Sequence, residues 1–554
     1  MHNEDIDPIT LEIWWSRLIA IADESATALL RTAFTTIIRE SNDYATALMN
    51  ADGDTLAECS GGIPAFAGLL GTTTRSFLAK FPAREWQPGD CVITNDPWLA
   101  AGHLPDIAMV TPVFYEGRLV GFTGSVAHSA DIGGSLGAEN QELFEEGICI
   151  PPMRLYRAGE RNEAMLELFL KNVRLPKLVL GDLEAQLTAN QVCRQRAIEF
   201  LQDTGLKDFQ HLSHIVHLKA EQAMRRAIEA IPDGVYRAGV DADGFDHQPT
   251  HIECTVTVAG SEMTLDYAGT SRQINRGINC VLNYTKAYSL YPVKCLLDPR
   301  TRRNAGSYRP IKVTAPAGTI VNPNYPAPVA ARHLTGHILC CAIYQALSQV
   351  IPDRVIADSG GAPAMRARFS GLDAQGGRYT LALFASAGMG ASPRRDGLSA
   401  TAFPTNSGAG SVEALESVSS LLFKKKELRV DSGGAGRFRG GLGQEIEVQN
   451  ISSTPIQMTI TGDREKHPAL GILGGQAGAV ASARLDNGKT PRLKSKTPIE
   501  PGASATLYFA GGGGYGPPEE RSLDAIAYDI RNGYTTLEQA RKDYGARVDA
   551  IASR

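Results

Sequence analysis

The chain has 554 residues, of which 43% are hydrophobic and 21% are charged, and its formal net charge is -5. This length exceeds one ordinary core and favours about two to four domains or one large elaborate unit. Charges of both signs are interspersed, and no apolar run reaches the roughly 20 residues that span a bilayer. The composition therefore favours a small-molecule substrate or a protein partner, and predicts neither nucleic-acid binding nor membrane insertion.

The N-terminus and the cysteines bear on cellular location. Residues 1–7 are acidic and lack the basic and then apolar pattern of a signal peptide. The 9 cysteines are scattered and form no C-x-x-C pair, which indicates reduced, mostly buried thiols rather than disulfides or a zinc knuckle. We therefore expect a cytoplasmic protein.

The first 230 residues predict an N-terminal α/β region. Residues 7–39 have helical apolar spacing, and Asp7 followed by proline suits the first turn of a helix. Alternation over residues 44–57 predicts a β-hairpin, and residues 166–226 are again helical in spacing. Short connections join the intervening strands, which predicts an antiparallel or mixed sheet. These strands are expected at residues 92–94, 107–110 and 121–127.

The pattern changes after residue 230. Residues 235–329 alternate and contain many turns, residues 330–350 return to helical spacing, and glycine-rich turns dominate from residue 430. We expect a mixed α+β fold, a large multi-layer subunit with antiparallel or mixed sheets, a helical middle segment and a β-rich, glycine-rich C-terminal part. The expected divisions are an N-terminal α/β region with the candidate metal site (1–230), a mixed β/α middle region (231–430), a glycine-rich β region (431–521) and a helical C-terminal tail (522–554).

Two polar interruptions between apolar strands carry the candidate chemistry. His103 and Asp106 lie three residues apart in the first, and His128 and Asp131 lie three apart in the second. Imidazole nitrogen and carboxylate oxygen are ligands of borderline and hard divalent cations, and two histidines with one aspartate leave positions open for catalysis. A hydrogen-bonded structural role is the alternative for either histidine alone. Their pairing at strand ends favours a metal site.

Further acidic and imidazole groups are candidates with open alternatives. Asp43, at the entrance of the predicted hairpin, is either part of a solvated helix end or a further metal ligand. Glu146, the second of two adjacent glutamates, is either a solvated charge or a general base or orienting group near the metal. His211, His214 and His217 drift around a helix and do not favour a second metal site.

Several long motifs, in a constant order over nearly the whole chain, resemble those of the hydantoinase B/oxoprolinase family. They are Asn95-Asp96-Pro97-Trp98, His103-Leu104-Pro105-Asp106, Ala127-His128-Ser129-Ala130-Asp131-Ile132-Gly133-Gly134, Glu145-Glu146-Gly147, Asp431-Ser432-Gly433-Gly434-Ala435-Gly436-Arg437 with Arg439-Gly440-Gly441, and Gly511 to Gly516. The resemblance implies a B-type subunit that acts with a separate A-type ATPase subunit, which binds ATP and phosphorylates the substrate or bicarbonate.

The same resemblance implies a set of site residues. It assigns metal ligation to His103, Asp106 and His128, with Asp43 as a further ligand, and zinc, manganese or iron would suit that set. Asp131 or Glu146 would then orient a water or a metal-bound histidine. We therefore expect a hetero-oligomer that uses ATP through its partner.

Three hypotheses of function follow. The first is ATP-dependent hydrolysis of a cyclic amide (a hydantoin, lactam or oxoproline-like ring) at a metal-activated water. The second is a subunit of an ATP-dependent ketone carboxylase of the acetone or acetophenone type. The third is a non-catalytic assembly subunit without metal. Arg332, Asp396 and the Gly511–Gly516 loop are unranked candidates for the substrate pocket, and the sequence contains no nucleotide-binding motif.

Overall fold

The structure, a computed structural model, describes residues 6–246, 248–373 and 375–552. Most of the acidic N-terminal stretch, residues 1–5, and the last two residues of the predicted helical tail lie outside the described residues. The helices are α1 (Pro8–Thr32), α2 (Thr36–Arg39), α3 (Leu69–Lys80), α4 (Glu163–Lys171), α5 (Pro176–Thr204), α6 (Gln210–Glu229), α7 (Leu282–Leu297), α8 (His333–Gly336), α9 (Ile338–Leu347), α10 (Val412–Ser417), α11 (Leu523–Arg531), α12 (Leu537–Tyr544) and α13 (Asp549–Ala552). None of the described helices combines the length and apolar character needed to cross a bilayer.

The strands form four sheets, which confirms the expected α+β class. They are β1 (Tyr44–Asn50), β2 (Thr55–Glu58), β3 (Cys91–Thr94), β4 (Asp106–Tyr115), β5 (Arg118–His128), β6 (Met153–Arg157), β7 (Glu160–Arg161), β8 (Gly234–Phe245), β9 (Gln248–Ala259), β10 (Glu262–Asp266), β11 (Ile311–Thr314), β12 (Arg366–Leu372), β13 (Arg378–Leu383), β14 (Leu421–Leu428), β15 (Gln444–Asn450), β16 (Ile456–Thr461), β17 (Ser482–Leu485), β18 (Lys494–Ile499) and β19 (Ser504–Tyr508). The sheet orders are β2-β1-β5-β4-β3-β6-β7, β11-β10-β9-β8, β13-β12-β16-β18 and β14-β15-β19-β17.

The β4–β5 hairpin positions the candidate ligands. Its two-residue turn has positive φ at Glu116 (48°) and Gly117 (76°), which matches the twist of the two strands and fixes their register. This register places Asp106, the first residue of β4, opposite His128, the last residue of β5. The neighbouring β1 begins directly after Asp43, whose carbonyl accepts a hydrogen bond of 3.0 Å from the backbone N–H of His128. All three acidic and imidazole groups therefore meet at one end of the first sheet.

The predicted N-terminal helix is confirmed, although it ends at Thr32 and a separate short helix follows. Asp7 caps it, since its carboxylate accepts hydrogen bonds of 3.0 Å from the Ile9 N–H and 3.1 Å from the Thr10 N–H. One face of α1 buries Leu11 and Trp15. Helices α1 and α5 pack against the first sheet and close this layer.

Helix α7 lies inside the stretch that the alternation predicts to be β-rich. It contains Pro292 and buries residues on several faces, among them Tyr284, Tyr288 and Lys294. A helix that is buried on most sides has no polar stripe, so it lacks the amphipathic signal by which a helix is predicted. The first core is continuous from the N-terminal sheet through α7 and α9.

The third and fourth sheets share a second core. Phe369 and Met458 come from one sheet, and Ile446 and Leu507 come from the other. Strands from both sides of residue 430 pair in these sheets, β12 with β16 and β14 with β15. The expected division at residue 230 falls between α6 and β8, whereas that at residue 430 falls within this second core.

Candidate metal centre

His103, Asp106 and His128 converge into one buried cluster. A nitrogen or oxygen atom from each lies within 4.8 Å of the others, and no other such group of three occurs among the described residues. The nearer carboxylate oxygen of Asp106, Oδ1, lies 2.9 Å from His103 Nε2 and 2.8 Å from His128 Nδ1. The two imidazole rings are 5.1 Å apart. The arrangement is a two-histidine, one-carboxylate set at the end of a sheet.

His103 is held as a neutral imidazole with one nitrogen free. Its Nδ1 lies 3.2 Å from the carbonyl oxygen of Ala330 and donates to it. Its Nε2 is buried and makes no hydrogen bond of acceptable geometry with the described residues. Burial lowers the pKa of His103 to about 3, and the adjacent Arg332 guanidinium contributes to this. The lone pair of Nε2 is therefore available to a cation.

Asp106 is held as a carboxylate. Burial opposes its ionisation, but the Arg332 guanidinium and the hydrogen bond with His128 outweigh this and keep the pKa of Asp106 well below its ordinary value. Arg332 donates from Nη2 to Asp106 Oδ2 at 2.5 Å and from Nε to the Ala101 carbonyl at 2.7 Å. Its guanidinium also lies 4.1 Å from the ring centre of Tyr284. Arg332, an unranked candidate from the sequence, thus orients a central carboxylate.

Asp43 lies at the edge of the cluster. Its Oδ2 is 3.9 Å from His128 Nδ1 and 3.7 Å from Arg366 Nη1. Burial raises the pKa of Asp43 above the ordinary value. The structure places this carboxylate beside the group of three without including it in the 4.8 Å cluster.

The cluster faces a cavity of about 70 Å³, called here the inner cavity. One wall comes from the end of the first sheet and the other from β12, β13 and β16 of the third sheet. Its further lining includes Tyr284, His333, Arg366, Arg368 and Phe384. The volume accommodates a cation with a few waters or a small reacting group.

Arg366, Arg368 and His333 are the arginines and the histidine lining the inner cavity that the sequence did not indicate. Arg366 Nε and His333 Nε2 are buried and have no hydrogen-bond partner among the described residues. Burial and the nearby Arg366 hold the pKa of His333 well below its ordinary value. The only local signal was the alternation of arginine with apolar residues along β12, which does not indicate what that strand faces.

Glu146 lies behind the inner cavity and does not line it. Its Oε1 accepts hydrogen bonds from the N–H groups of Val329 (2.6 Å) and Ala330 (2.9 Å). Its Oε2 is buried and without a partner among the described residues. Burial raises the pKa of Glu146 to about 8. Glu146 thus fixes the loop whose Ala330 carbonyl holds His103.

Asp131 is engaged with backbone and with Arg174. Its Oδ1 accepts from Gly133 N–H (3.1 Å) and from Arg174 Nη1 (2.9 Å). Its Oδ2 accepts from the backbone N–H of Leu175 at 3.2 Å and from that of Arg174. These contacts place Asp131 on the rim of a second cavity rather than at the cluster.

The remaining candidates lie elsewhere. Asp396 forms ion pairs with Arg521, the shorter at 2.7 Å, next to the C-terminal helices. The Gly511–Gly516 segment does not line the inner cavity. His217 is within 2.8 Å of the Thr55 carbonyl through its Nε2, which explains its burial as a structural residue.

The cluster fits a divalent metal on the chemistry of its atoms. Two imidazoles and one carboxylate suit zinc, manganese or iron, and such sets leave coordination positions for water or substrate. A buried imidazole nitrogen without a partner costs free energy unless something binds it. Arg332 holds Asp106, and the Ala330 carbonyl holds His103. Such contacts orient side chains as outer contacts orient the ligands of a metal site.

Comparison of sequences relates the chain to known enzymes. The family model described as hydantoinase B/oxoprolinase matches residues 7–518. The B-type subunit of a provisionally named D-/L-hydantoinase of Pseudomonas sp. (strain NS671) is 32% identical over 571 residues, 98% of this chain and 95% of the relative. The beta chain of the caprolactamase of Pseudomonas jessenii is 30% identical, over 98% of this chain and 97% of the relative.

Comparison of structures agrees. The crystal structure of ATP-dependent caprolactamase from Pseudomonas jessenii matches with a TM-score of 0.92 and 27% identity, covering 100% of both chains. A nucleotide-free acetone carboxylase matches with a TM-score of 0.89 over 97% of this chain and 79% of that chain. The second likeness, at 21% identity, shows the fold alone.

Proposed function

The chain belongs to the hydantoinase B/oxoprolinase family, as its motifs predicted, and we propose that it is the B-type subunit of an ATP-dependent enzyme that hydrolyses a cyclic amide. The ring is a hydantoin, a lactam or an oxoproline-like amide. A divalent metal is held by His103, Asp106 and His128, with Asp43 beside them. An A-type subunit phosphorylates the substrate, and ring opening is completed in the inner cavity.

The observation that carries this proposal is the buried Nε2 of His103, which has no hydrogen bond of acceptable geometry and faces Asp106 Oδ1 at 2.9 Å, with His128 in the same cluster. The buried His217, by contrast, uses both ring nitrogens, Nε2 on a carbonyl and Nδ1 on the Ser213 hydroxyl. His103 uses only Nδ1, and its tautomer directs a lone pair into a cluster that contains a carboxylate. This is the donor arrangement of a metal ligand.

Other groups in the inner cavity would stabilise the charge that develops during attack and exclude water. A bound metal supplies a Lewis acid that polarises a carbonyl and makes water acidic. Arg366, with its Nε unpaired, can donate to a substrate oxygen that gains negative charge during attack. The rings of Tyr284 and Phe384 line the cavity and exclude bulk water, which strengthens that electrostatic contact.

Asp131 and Glu146 act as positioning residues in this proposal. Glu146 holds Val329 and Ala330 and through them the orientation of His103. Asp131 holds Arg174 at the rim of the adjoining cavity. Neither side chain contacts the three ligands directly, so both act on the reaction through neighbours.

The partner subunit is supported by the names of the relatives. One is named as the B-type subunit of a hydantoinase and another as the beta chain of a caprolactamase, and the matching crystal structure is of an ATP-dependent caprolactamase. We therefore propose a hetero-oligomer with an A-type ATPase subunit that binds the nucleotide. Small cyclic amides are the substrates to test with that complex.

The metal is tested by elemental analysis of the chain purified without chelator. Wild type should contain near-stoichiometric zinc, manganese or iron, and both His103→Ala and His128→Ala should lose it. His251→Ala is the matched control, because His251 is a partly exposed histidine that pairs with Asp241 away from the cluster. A folded wild type that takes up no metal, even when each metal is added, would favour an assembly subunit.

The reaction is tested with the A-type subunit present. Incubation with ATP and a hydantoin, a lactam or 5-oxoproline should release the ring-opened acid, and His128→Ala should abolish this release. Incorporation of labelled bicarbonate into acetone or acetophenone, without ring opening of any amide, would replace hydrolysis by carboxylation.

A further inference from the structure

A second, larger cavity adjoins the inner cavity and is called here the outer cavity. It has a volume of about 540 Å³. Leu136, Arg368 and Thr459 line both cavities, so the two spaces meet at these side chains. Arg378 and Arg174 on the outer side are exposed to solvent. The outer cavity therefore adjoins the inner cavity and borders solvent at Arg174 and Arg378.

The lining of the outer cavity is strongly cationic. It contains Arg174, Arg368, Arg378 and Lys496, against one carboxylate, Asp131. Two of the four cations already have partners, because Arg174 pairs with Asp131 at 2.9 Å and Lys496 with Glu139 at 2.6 Å.

The other two cations have no direct partner, although the charge of Asp131 lies near Arg368. The side chains of Arg368 and Arg378 make no hydrogen bond or ion pair with any described residue. Burial, with Arg366 nearby, lowers the pKa of Arg368 to about 10, which still leaves it charged at neutral pH. Guanidinium donors that no protein group uses, and that border an open cavity, are available to an anion that enters it.

The third sheet explains why these cations share one face. Along β12, Ala367 and Phe369 point into the second core, so Arg366, Arg368 and Ser370 lie on the opposite face. Successive positions on that face are about 7 Å apart. Arg366 reaches Asp43 at the inner end, and Arg368 stands at the junction of the two cavities.

Neighbouring strands extend this polar face. Thr459 of β16 pairs with Arg368 on one side and with Lys496 of β18 on the other. Arg378 of β13 pairs with Leu372 at the far end of β12. The hydroxyls of Ser370 and Thr380, which lie 3.2 Å apart, line the same space. Free guanidinium groups beside hydroxyls are the donors that recognise a phosphate dianion.

We propose that the outer cavity is a phosphate-binding site in which Arg368 and Arg378 hold the phosphoryl group of a phosphorylated amide while its carbon enters the inner cavity. This assignment rests on the proposed function for the identity of the ligand. The chemistry it recognises is a phosphate dianion, which two sources can supply, a phosphate monoester of the substrate or the inorganic phosphate that is released.

The site is tested by calorimetric titration of the full chain with inorganic phosphate and with phenyl phosphate. Arg368→Gln and Arg378→Gln should each weaken binding about 10- to 100-fold, as expected for loss of a charge-assisted contact. Arg84→Gln, at an exposed arginine outside both cavities, should bind as wild type does. Tighter binding of phenyl phosphate assigns the site to the phosphorylated substrate, and tighter binding of inorganic phosphate assigns it to the product.

The same titration on His103→Ala separates this proposal from the metal. Phosphate binding that persists in His103→Ala and is lost in Arg368→Gln supports the outer cavity, whether or not any metal is found. Phosphate binding that disappears in His103→Ala and is unchanged in both arginine variants would place the anion on the metal and overturn the proposal. Wild type that binds neither compound at low ionic strength would also overturn it. Arg378 lies on an exposed hairpin, so Arg378→Gln should fold even if Arg368→Gln does not, and it tests the site independently.

Discussion

Glu146 accepts hydrogen bonds from the loop at Val329 and Ala330. Because its carboxyl is buried, we expect the free energy of unfolding to depend on pH. Its pKa is raised to about 8 from 4.5 by burial. A raised folded-state pKa means that the stabilising contribution is complete below pH 4.5 and is lost as the pH rises towards about 8. Glu146→Gln keeps an oxygen that can accept from Val329 and Ala330 but removes the titration. We expect wild type to lose stability relative to Glu146→Gln between about pH 5 and 8, in urea unfolding at several pH values.

A positioning role for Glu146 has a second readout. Glu146→Gln should retain the metal, because the acceptor for the Ala330 N–H remains, whereas Glu146→Ala should weaken metal affinity about 10- to 100-fold. Equal metal affinity in both variants would show that the loop holds His103 without this carboxyl. A pH-independent stability difference between wild type and Glu146→Gln would show that the carboxyl is ionised throughout the range.

The sequence supplied the candidates of the cluster but not the arginines around them. His103, Asp106 and His128 lie within 26 positions of one another and flank two strands of one hairpin, so local pattern was enough to propose that they meet. Arg332 and Arg366 are more than 200 positions away from His103 and reach it through the packing of α8 and β12. No periodicity within a strand indicates which distant layer it will face.

The glycine-rich segment Gly511–Gly514 is a packed element rather than a loop. A Cβ on these residues would meet, in turn, the carbonyls of Ser432, Met389, Leu470 and Ala435 at 1.6, 2.2, 2.1 and 2.1 Å. The Cβ positions of Gly511 and Gly514 both face the segment that contains Ser432 and Ala435. This repeat after three residues is the period of a polyproline II helix, which has about three residues per turn. Every position in this segment therefore requires glycine because backbone surrounds it.

Gly512→Ala tests this packing. The added methyl group would lie 2.2 Å from the Met389 carbonyl, and overpacking of this kind costs about 1–3 kcal/mol or more. We expect a lower midpoint in thermal unfolding, followed by circular dichroism. Gly61→Ala is the control, since Tyr44 Oη at 3.6 Å is the nearest atom to its added Cβ. An unchanged midpoint for Gly512→Ala would mean that the neighbouring segment moves freely.

The glycine clusters also show what composition can and cannot predict. The glycine-rich sequence predicted that these residues have either a positive φ or a close contact with another backbone segment. The structure shows which of the two applies to each glycine. Gly516 has a positive φ of 71°, whereas none of Gly511–Gly514 does. The choice depends on which segments surround the glycines, and those segments, at Met389, Ser432 and Leu470, are distant from them in sequence. Helix α7 was hidden for a related reason, because burial on several faces removes its amphipathic pattern.

The two cores meet at the candidate site. The first core supplies the candidate ligands at the end of its sheet, and the second core supplies the arginines on the free face of β12. The ion pair of Asp43 with Arg366 joins the two sides at 3.7 Å. The position between two layers is one where pockets commonly occur. It makes cavity shape and charge sensitive to how the layers pack.

The isolated chain should not hydrolyse ATP, although it contains long runs of glycine. A phosphate-binding loop presents free backbone N–H groups to the nucleotide. Here the N–H groups of Gly511 and Gly512 donate to the Ala479 and Gly441 carbonyls at 3.0 and 2.9 Å, and those of Gly513 and Gly514 donate to the Asp358 and Gln476 carbonyls, both at 2.8 Å. Phosphate release from ATP and magnesium should therefore equal the buffer value for the chain alone and appear only when an A-type subunit is added. ATPase activity that co-elutes with the isolated chain in gel filtration would contradict this division of labour, because the nucleotide would then bind within the chain itself.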